Sequence, residues 1–148
     1  MNEPGLIREM IGEMIGETPG AATLEKPRTI AVVGLSADPS KPSNYVPAYM
    51  QQQGYKIYPV NPTVSEVLGE TSYASLSDLP AKPDIVNVFR LPAFIPAIVD
   101  EMLQLGLKNL WVQTGIVNRE AAAAAEAGGI RVVMDRCIMV EHRRRAGR

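Results

Sequence analysis

Cysteine, tryptophan, phenylalanine and histidine are scarce in this chain: one cysteine (Cys137), one tryptophan, two phenylalanines and a single histidine (His142) in 148 residues. A lone cysteine excludes an internal disulfide framework and points to a reducing compartment, so the expected address is the cytoplasm. No metal site is assigned. No apolar run approaches the roughly 18 residues that a bilayer-spanning helix needs. Glu3 and Glu9 stand where a secretory signal would carry positive charge, so neither a membrane span nor export is expected. A formal net charge of -1 excludes a strongly electropositive body and argues against nucleic acid as a partner. The apolar share of 46% is nevertheless that of an ordinary globular protein. A single domain of this length buries roughly 70% of the surface its unfolded chain exposes, enough for a core without staples.

Much of the organisation follows from Thr29-Ile30-Ala31-Val32-Val33-Gly34-Leu35-Ser36. A run of small and β-forming residues meeting a glycine reads as a buried strand that ends in a tight turn, where a ligand can approach the main chain. Before it, Leu6, Ile7, Met10, Ile11, Met14 and Ile15 fall at helical spacing between Glu3 and Gly16, with Glu9, Glu13 and Glu17 on another face. The apolar stripe of this helix must be covered, by the domain's edge or by a second copy of the chain, which makes a homodimer one expectation. Thr18-Pro19-Gly20 breaks the helix, and residues 1–27 read as helix and linker ahead of a domain at 28–148.

After the first strand, a loop from Ala37 leads to a helix expected over Tyr45–Gln53, with Pro47 tolerable only in its first turn. Lys56–Val60 is a second strand, in which Pro59 demands a position whose N–H no neighbour needs. Thr63 to Asp78 reads as irregular or short helix. Three further strands are expected at Asp84–Phe89, Lys108–Val112 and Ile130–Met134, alternating with helices at about Ala93–Leu105 and at Arg119–Ala127, the latter capped by Asn118. A short helix closes the chain. Strands alternating with helices imply an α/β fold, a doubly wound parallel five-stranded sheet with an extra N-terminal amphipathic helix.

Ligands of such sheets sit outside the carboxyl ends of the strands, where strand order reverses. That places the candidates at Gly34 to Lys41, Asn61-Pro62, Phe89-Arg90-Leu91-Pro92 and Gln113-Thr114-Gly115. The dinucleotide fingerprint G-x-G-x-x-G is missing, and the second strand ends in Asn61-Pro62 without a carboxylate for a ribose diol, which disfavours NAD. The P-loop pattern fails too. Ser36, Ser40, Lys41, Ser43 and Asn44, ahead of a helix N-terminus, suit an anionic group of another shape.

Six ordered motifs, Val33-Gly34-Leu35-Ser36, Lys41-Pro42-Ser43, Tyr58-Pro59-Val60-Asn61-Pro62, Asp84-Ile85-Val86 with Phe89-Arg90 and Pro92, Trp111-Val112-Gln113-Thr114-Gly115, and Met134-Asp135-Arg136-Cys137 with Glu141-His142, resemble the small stand-alone CoA-binding proteins. These in turn resemble the CoA-binding domain of the succinyl-CoA synthetase α subunit. The resemblance covers roughly Arg28 to Arg145 and implies a Rossmann-like domain that binds coenzyme A or an acyl-CoA. By the same resemblance Gly34, Leu35 and Ser36 meet the diphosphate, Lys41 adds positive charge, and Asn61-Pro62 border the adenosine. Phe89, Arg90 and Pro92 line the path of nucleotide and pantetheine, and Gln113, Thr114 and Gly115 lie deepest. A 3′-phosphorylated ADP needs cations, and Lys41 and Arg90 stand at the correct edge.

Each assignment has a plain alternative. Ser36 can cap a turn, Lys41 can be a solvated loop charge, and Arg90 can pair with Asp84 or a neighbouring carboxylate. Asn61-Pro62 can be a strand-ending turn, and Gln113 can satisfy a buried backbone group. Catalysis by Cys137 and His142 is disfavoured, since a spacing of five on a helix sets them roughly 140° apart. A buried cysteine and a polar network anchoring the final helix is the structural reading, and a mixed disulfide between Cys137 and the coenzyme is an intermediate one. The related ligases use a phosphorylated histidine and an ATP-grasp domain that this sequence does not offer, so a complete ligase would need a separate subunit. The expected function is therefore coenzyme A binding without catalysis. The alternatives are an NAD(P)-dependent or CoA-transferring enzyme and a regulator acting through partners. The arginines of His142–Arg148 can meet a polyanion or simply offset a helix dipole.

Overall fold

The computed structural model describes residues 1–3, 5–16 and 29–146. The linker read between Glu17 and Arg28, and the last arginine, lie outside the described residues. Helix α1 spans Leu6–Ile15, α2 Pro42–Gln52, α3 Ile95–Leu105, α4 Arg119–Ala127 and α5 Ile138–Ala146. Strands β1 (Thr29–Val33), β2 (Lys56–Val60), β5 (Ile85–Val88), β6 (Asn109–Val112) and β7 (Arg131–Val133) form one parallel sheet in the order β2-β1-β5-β6-β7. Two-residue strands β3 (Glu66–Val67) and β4 (Glu70–Thr71) make a separate antiparallel hairpin.

Alternation along the strands divides the interior into two layers. On one face Ala31, Val33, Val86, Val88, Leu110 and Val112 meet Ile95, Val99 and Met102 of α3 and Ala121, Ala122 and Ala125 of α4. On the other, Ile30, Val32, Ile57, Ile85, Trp111 and Val133 meet Val46 and Met50 of α2, Ile138 of α5, and Met10, Ile11 and Met14 of α1. The alanines of α4 let that helix lie close, and Asn118 caps it as expected, its Oδ1 accepting from the Ala121 N–H at 3.0 Å.

The chain itself covers the stripe of α1, so Met10, Ile11 and Met14 are buried without a second copy. Arg131 of β7 clamps the helix from below: its guanidinium donates to Glu13 at 2.8 and 3.0 Å and to Glu9 at 2.6 Å. These carboxylates, Glu13 foremost, hold the arginine more firmly in its charged form. Asn2 extends the edge of β7, its N–H donating to the Val132 carbonyl and its carboxamide exchanging hydrogen bonds with the Met134 main chain.

Several boundaries depart from the expectation, each for a local reason. Helix α2 begins at Pro42, three residues early, because proline at the first helical position gives up only an N–H that would be unpaired there. Pro47 thus falls in the helix interior, not its first turn. The carbonyl it leaves without a helical donor, that of Ser43, accepts instead from the Ser36 N–H at 3.0 Å. Helix α1 starts at Leu6 rather than Glu3, and the third strand is shorter by one residue at each end.

The segment read as irregular holds the β3-β4 hairpin, turned at Leu68 (φ 55°) and Gly69 (φ 74°), both left-handed as a two-residue hairpin demands. Its exit runs along β2. The Tyr73 N–H donates to the Pro59 carbonyl at 3.0 Å, and the Asn61 N–H donates to the Tyr73 carbonyl at 2.8 Å. Pro59 is thereby confirmed on an edge strand, where its missing N–H costs nothing.

Candidate functional site

Because all five strands run the same way, the residues that follow them emerge at one edge. The hydrogen-bond ladder continues past the strands: the Gly34 N–H donates to Val60, Phe89 to Val33, and Gln113 to Val88, at 2.9, 2.9 and 3.2 Å. The exit residues are therefore fixed by the sheet rather than by their loops. The chain leaves β1 for β2 on one side and crosses back to β5 on the other, so strand order reverses between Gly34 and Phe89.

At that reversal Arg90 lies over the Gly34 turn. Gly34 has φ +89°, and a Cβ there would come within 3.0 Å of the Arg90 Cδ. The guanidinium sits 3.9 Å from the centroid of the Phe94 ring, in cation–π range. It makes no ion pair among the described residues. Asp84, offered as its alternative partner, is at the opposite end of β5, where it accepts from the N–H and hydroxyl of Thr29 at 3.1 and 3.0 Å. The pairing of Arg90 with Asp84 is thus excluded by the direction of the strand.

The loop after Gly34 is largely committed to its own structure. Leu35 is fully buried, and its carbonyl accepts from Asn61 Nδ2 at 2.9 Å. The Ser36 N–H serves Ser43, its carbonyl accepts from Asn44 Nδ2 at 2.7 Å, and its hydroxyl accepts from the Asp38 N–H at 3.0 Å. Asp38 in turn accepts from the Ser40 hydroxyl and N–H, which hold its carboxyl below the usual range. The Asn61 Oδ1 accepts from the N–H and hydroxyl of Thr63. Ser36 and Asn61 thus both build their turns, and the Ser36 hydroxyl still has its own proton to donate. Lys41 stands exposed at the N-cap of α2 and makes no ion pair among the described residues.

Beside this edge lies a cleft of about 420 Å³, lined by Pro42, Tyr45 and Val46 of α2, by Phe89, Gln113, Thr114 and Ile116 of the strand exits, and by Cys137, Met139 and Val140 around the start of α5. Gln113 is 4% exposed, and its Oε1 accepts from Asn87 Nδ2 at 3.1 Å and from the Ile138 N–H at 3.0 Å. It satisfies a buried backbone group, as its alternative held, and still faces the cleft. Asn87 also donates to the Trp111 carbonyl at 3.1 Å, so β5, β6 and α5 are joined through one pair of carboxamides.

The expected placements are realised unevenly. Gly34 and Arg90 meet at the reversal point, and Phe89, Gln113 and Thr114 share the cleft. Pro92 opens a 3-10 turn, Pro92–Phe94, and its carbonyl accepts from Asn118 Nδ2 at 2.9 Å. Pro62 is exposed, and the Gly115 N–H donates to Asp135 Oδ1 at 2.6 Å.

Three contributors escaped the sequence reading: Tyr45 and Val140, apolar side chains left 45% and 37% exposed on helices, and Phe94 beneath Arg90. Tyr45 alone had a signal, an aromatic one turn beyond a loop facing the sheet's edge.

Cys137 is half-buried at the cleft rather than buried, a correction to the structural reading of that residue. His142 points elsewhere. Its Nδ1 and Nε2 each lie 3.0 Å from a tyrosine hydroxyl, of Tyr49 and Tyr55, and burial holds its pKa below the ordinary value. The anchoring network is present: Glu141, buried, accepts from Arg145 at 2.9 Å and from Arg144 at 3.3 Å, and Arg143 lies over the Tyr49 ring. Three of the four terminal arginines therefore have partners on the protein.

The chain is a doubly wound α/β domain with a cleft outside the carboxyl ends of its strands. Residues 28–143 match the family model of the CoA binding domain, and the chain belongs to that family. The resemblance read from its motifs is borne out. The uncharacterized protein YneT of Bacillus subtilis strain 168 is 43% identical over 119 residues, 80% of this chain and 88% of YneT. A Thermus thermophilus protein solved as cell-free ID.343 is 40% identical and superposes with a TM-score of 0.82, over 93% of this chain and 97% of that one. The ADP-forming acetate–CoA ligase II of Archaeoglobus fulgidus is 31% identical over 110 residues, 73% of this chain but only 16% of the ligase.

Proposed function

We propose that this chain binds coenzyme A or an acyl-CoA at the carboxyl edge of its sheet, as a binding module without catalytic activity of its own. The observation that carries the reading is Arg90: a cation without an ion-pair partner among the described residues, laid over a glycine turn where strand order reverses, next to an apolar cleft. A ligand with phosphates at one end and a long, weakly polar arm at the other matches that sequence of environments. Arg90 and the exposed Lys41 would receive the phosphates. The arm would enter between Tyr45 and Phe89 toward Gln113. The N–H groups of Gly34 and Ser36 are taken by Val60 and Ser43, while the Ser36 hydroxyl, which accepts from the Asp38 N–H, keeps its own proton to donate to the diphosphate.

The non-catalytic part of the reading is supported by the position of His142, which is held between two tyrosines and is not among the residues lining the cleft. No helix among the described residues is long and apolar enough to cross a membrane. A reducing cytoplasm suits a chain whose one cysteine is unpaired. Native mass spectrometry of the protein as purified, followed by release and identification of what it retains, tests the proposal. Retained coenzyme A or acyl-CoA supports it, and a retained NAD(P) overturns it.

A further inference from the structure

We propose that Cys137 is the acceptor of a mixed disulfide with coenzyme A, formed by exchange with coenzyme A disulfide inside the apolar cleft; this deepens the coenzyme A reading and rests on it. Two independent features converge. The first is position. Cys137 is a free thiol, half-buried, in the wall of the cleft with Phe89, Gln113, Thr114 and Tyr45.

The second is a donor without an acceptor. Gln113 is 96% buried, and its Oε1 is fixed by two donors, Asn87 Nδ2 and the Ile138 N–H. The two donors assign the carboxamide oxygen, so the Nε2 of this cleft-lining residue is left with no hydrogen-bond partner among the described residues. A free amide donor in the wall of the cleft suits an acceptor from a ligand, and the amide carbonyls of a pantetheine arm are acceptors of that kind. Gln113 also holds the first N–H of α5, the residue next to Cys137, so donor and sulfur sit on one rigid frame.

The chemistry needs no base from the protein. The Cys137 thiolate attacks one sulfur of coenzyme A disulfide; the coenzyme's S–S bond breaks as the new S–S bond forms. The other half leaves as coenzyme A thiolate and takes up the proton that the cysteine gave to solvent. The Cys137 sulfur is oxidised, the departing sulfur is reduced, and a second thiol reverses the step by the same route. An apolar wall favours the pantetheine arm over a small, charged thiol such as glutathione.

The test treats the reduced full chain with coenzyme A disulfide, with pantetheine disulfide, or with glutathione disulfide, and follows intact mass under non-reducing conditions. The expected result is a single coenzyme A adduct, absent from Cys137→Ser, removed by dithiothreitol, and formed about tenfold or more faster than the glutathione adduct because binding places the disulfide beside the sulfur. In parallel, reduced coenzyme A should slow alkylation of Cys137 by iodoacetamide in the wild-type chain. Adducts formed equally fast from coenzyme A and glutathione disulfides, or no adduct, overturn the inference. If reduced coenzyme A still raises the melting temperature in that case, the binding reading stands; if it does not, both fall. An adduct that forms as fast from pantetheine disulfide as from coenzyme A disulfide, with glutathione slow, upholds the inference and locates the selectivity in the arm.

Discussion

Replacing Gly34 with alanine tests whether the turn at the reversal point and Arg90 form one unit. At φ +89° any side chain is in the left-handed region, which costs roughly 1–2 kcal/mol for an L-residue other than glycine. The new methyl would also stand 3.0 Å from the Arg90 Cδ and 3.5 Å from its Cγ and from the Phe89 carbonyl carbon. Arg90 must swing away, and its contact with Phe94 is worth about 0.5–1 kcal/mol at an exposed site. The sum is about 1.5–3 kcal/mol, or a fall in melting temperature of roughly 3–12 °C for a chain of this size. Denaturant unfolding of Gly34→Ala, Arg90→Ala and the double variant gives the cycle. With Arg90 already truncated, alanine at position 34 should cost only its backbone share. A Gly34→Ala protein within about 0.5 kcal/mol of wild type, or a double variant showing plain additivity, would refute the close approach on which the site rests.

Four other outcomes follow from the geometry. His142 is held neutral in the fold, so the unfolded chain binds more protons below its ordinary pKa; stability should be full above about pH 6.5 and decline as pH falls below it, a slope that His142→Gln should flatten in denaturation series. His142→Ala should cost about 2–4 kcal/mol at neutral pH by leaving two tyrosine hydroxyls and a cavity behind, as read by the same denaturation. Arg131→Ala should lower stability by about 1–2 kcal/mol, chiefly through the half-buried Glu13, since the exposed Glu9 is screened, and should speed hydrogen exchange of α1 more than of β5. Pro47→Ala, which elsewhere in a helix interior would be worth about 3 kcal/mol, should change stability by less than about 1 kcal/mol, because the Ser43 carbonyl already has the Ser36 N–H.

What the sequence made legible was whatever depends on periodicity and strand exits. Alternation and short β-branched runs located all five parallel strands, and strand direction then set Gly34, Arg90 and Gln113 on one edge. Loop residues were less legible, because a serine or asparagine ahead of a helix serves a ligand and its own turn with the same atoms. Ser36 and Asn61 do hydrogen-bond within their turns, and only coordinates could show those contacts. Pro47 misled for a related reason: its cost is removed by a hydrogen bond from a residue eleven positions back, which no helix rule anticipates. The hairpin at Leu68-Gly69 was hidden by strands of two residues, too short to alternate. The cleft needed tertiary contact between α2 and α5, so Tyr45 and Val140 could not be paired from sequence.

Isothermal titration of the purified chain with coenzyme A, 3′-dephospho-coenzyme A and NAD tests the central claim most directly. The account predicts one coenzyme A per chain, weaker binding once the 3′-phosphate or the Arg90 side chain is removed, and little or no heat with NAD. Saturable binding of NAD with none of coenzyme A would contradict it.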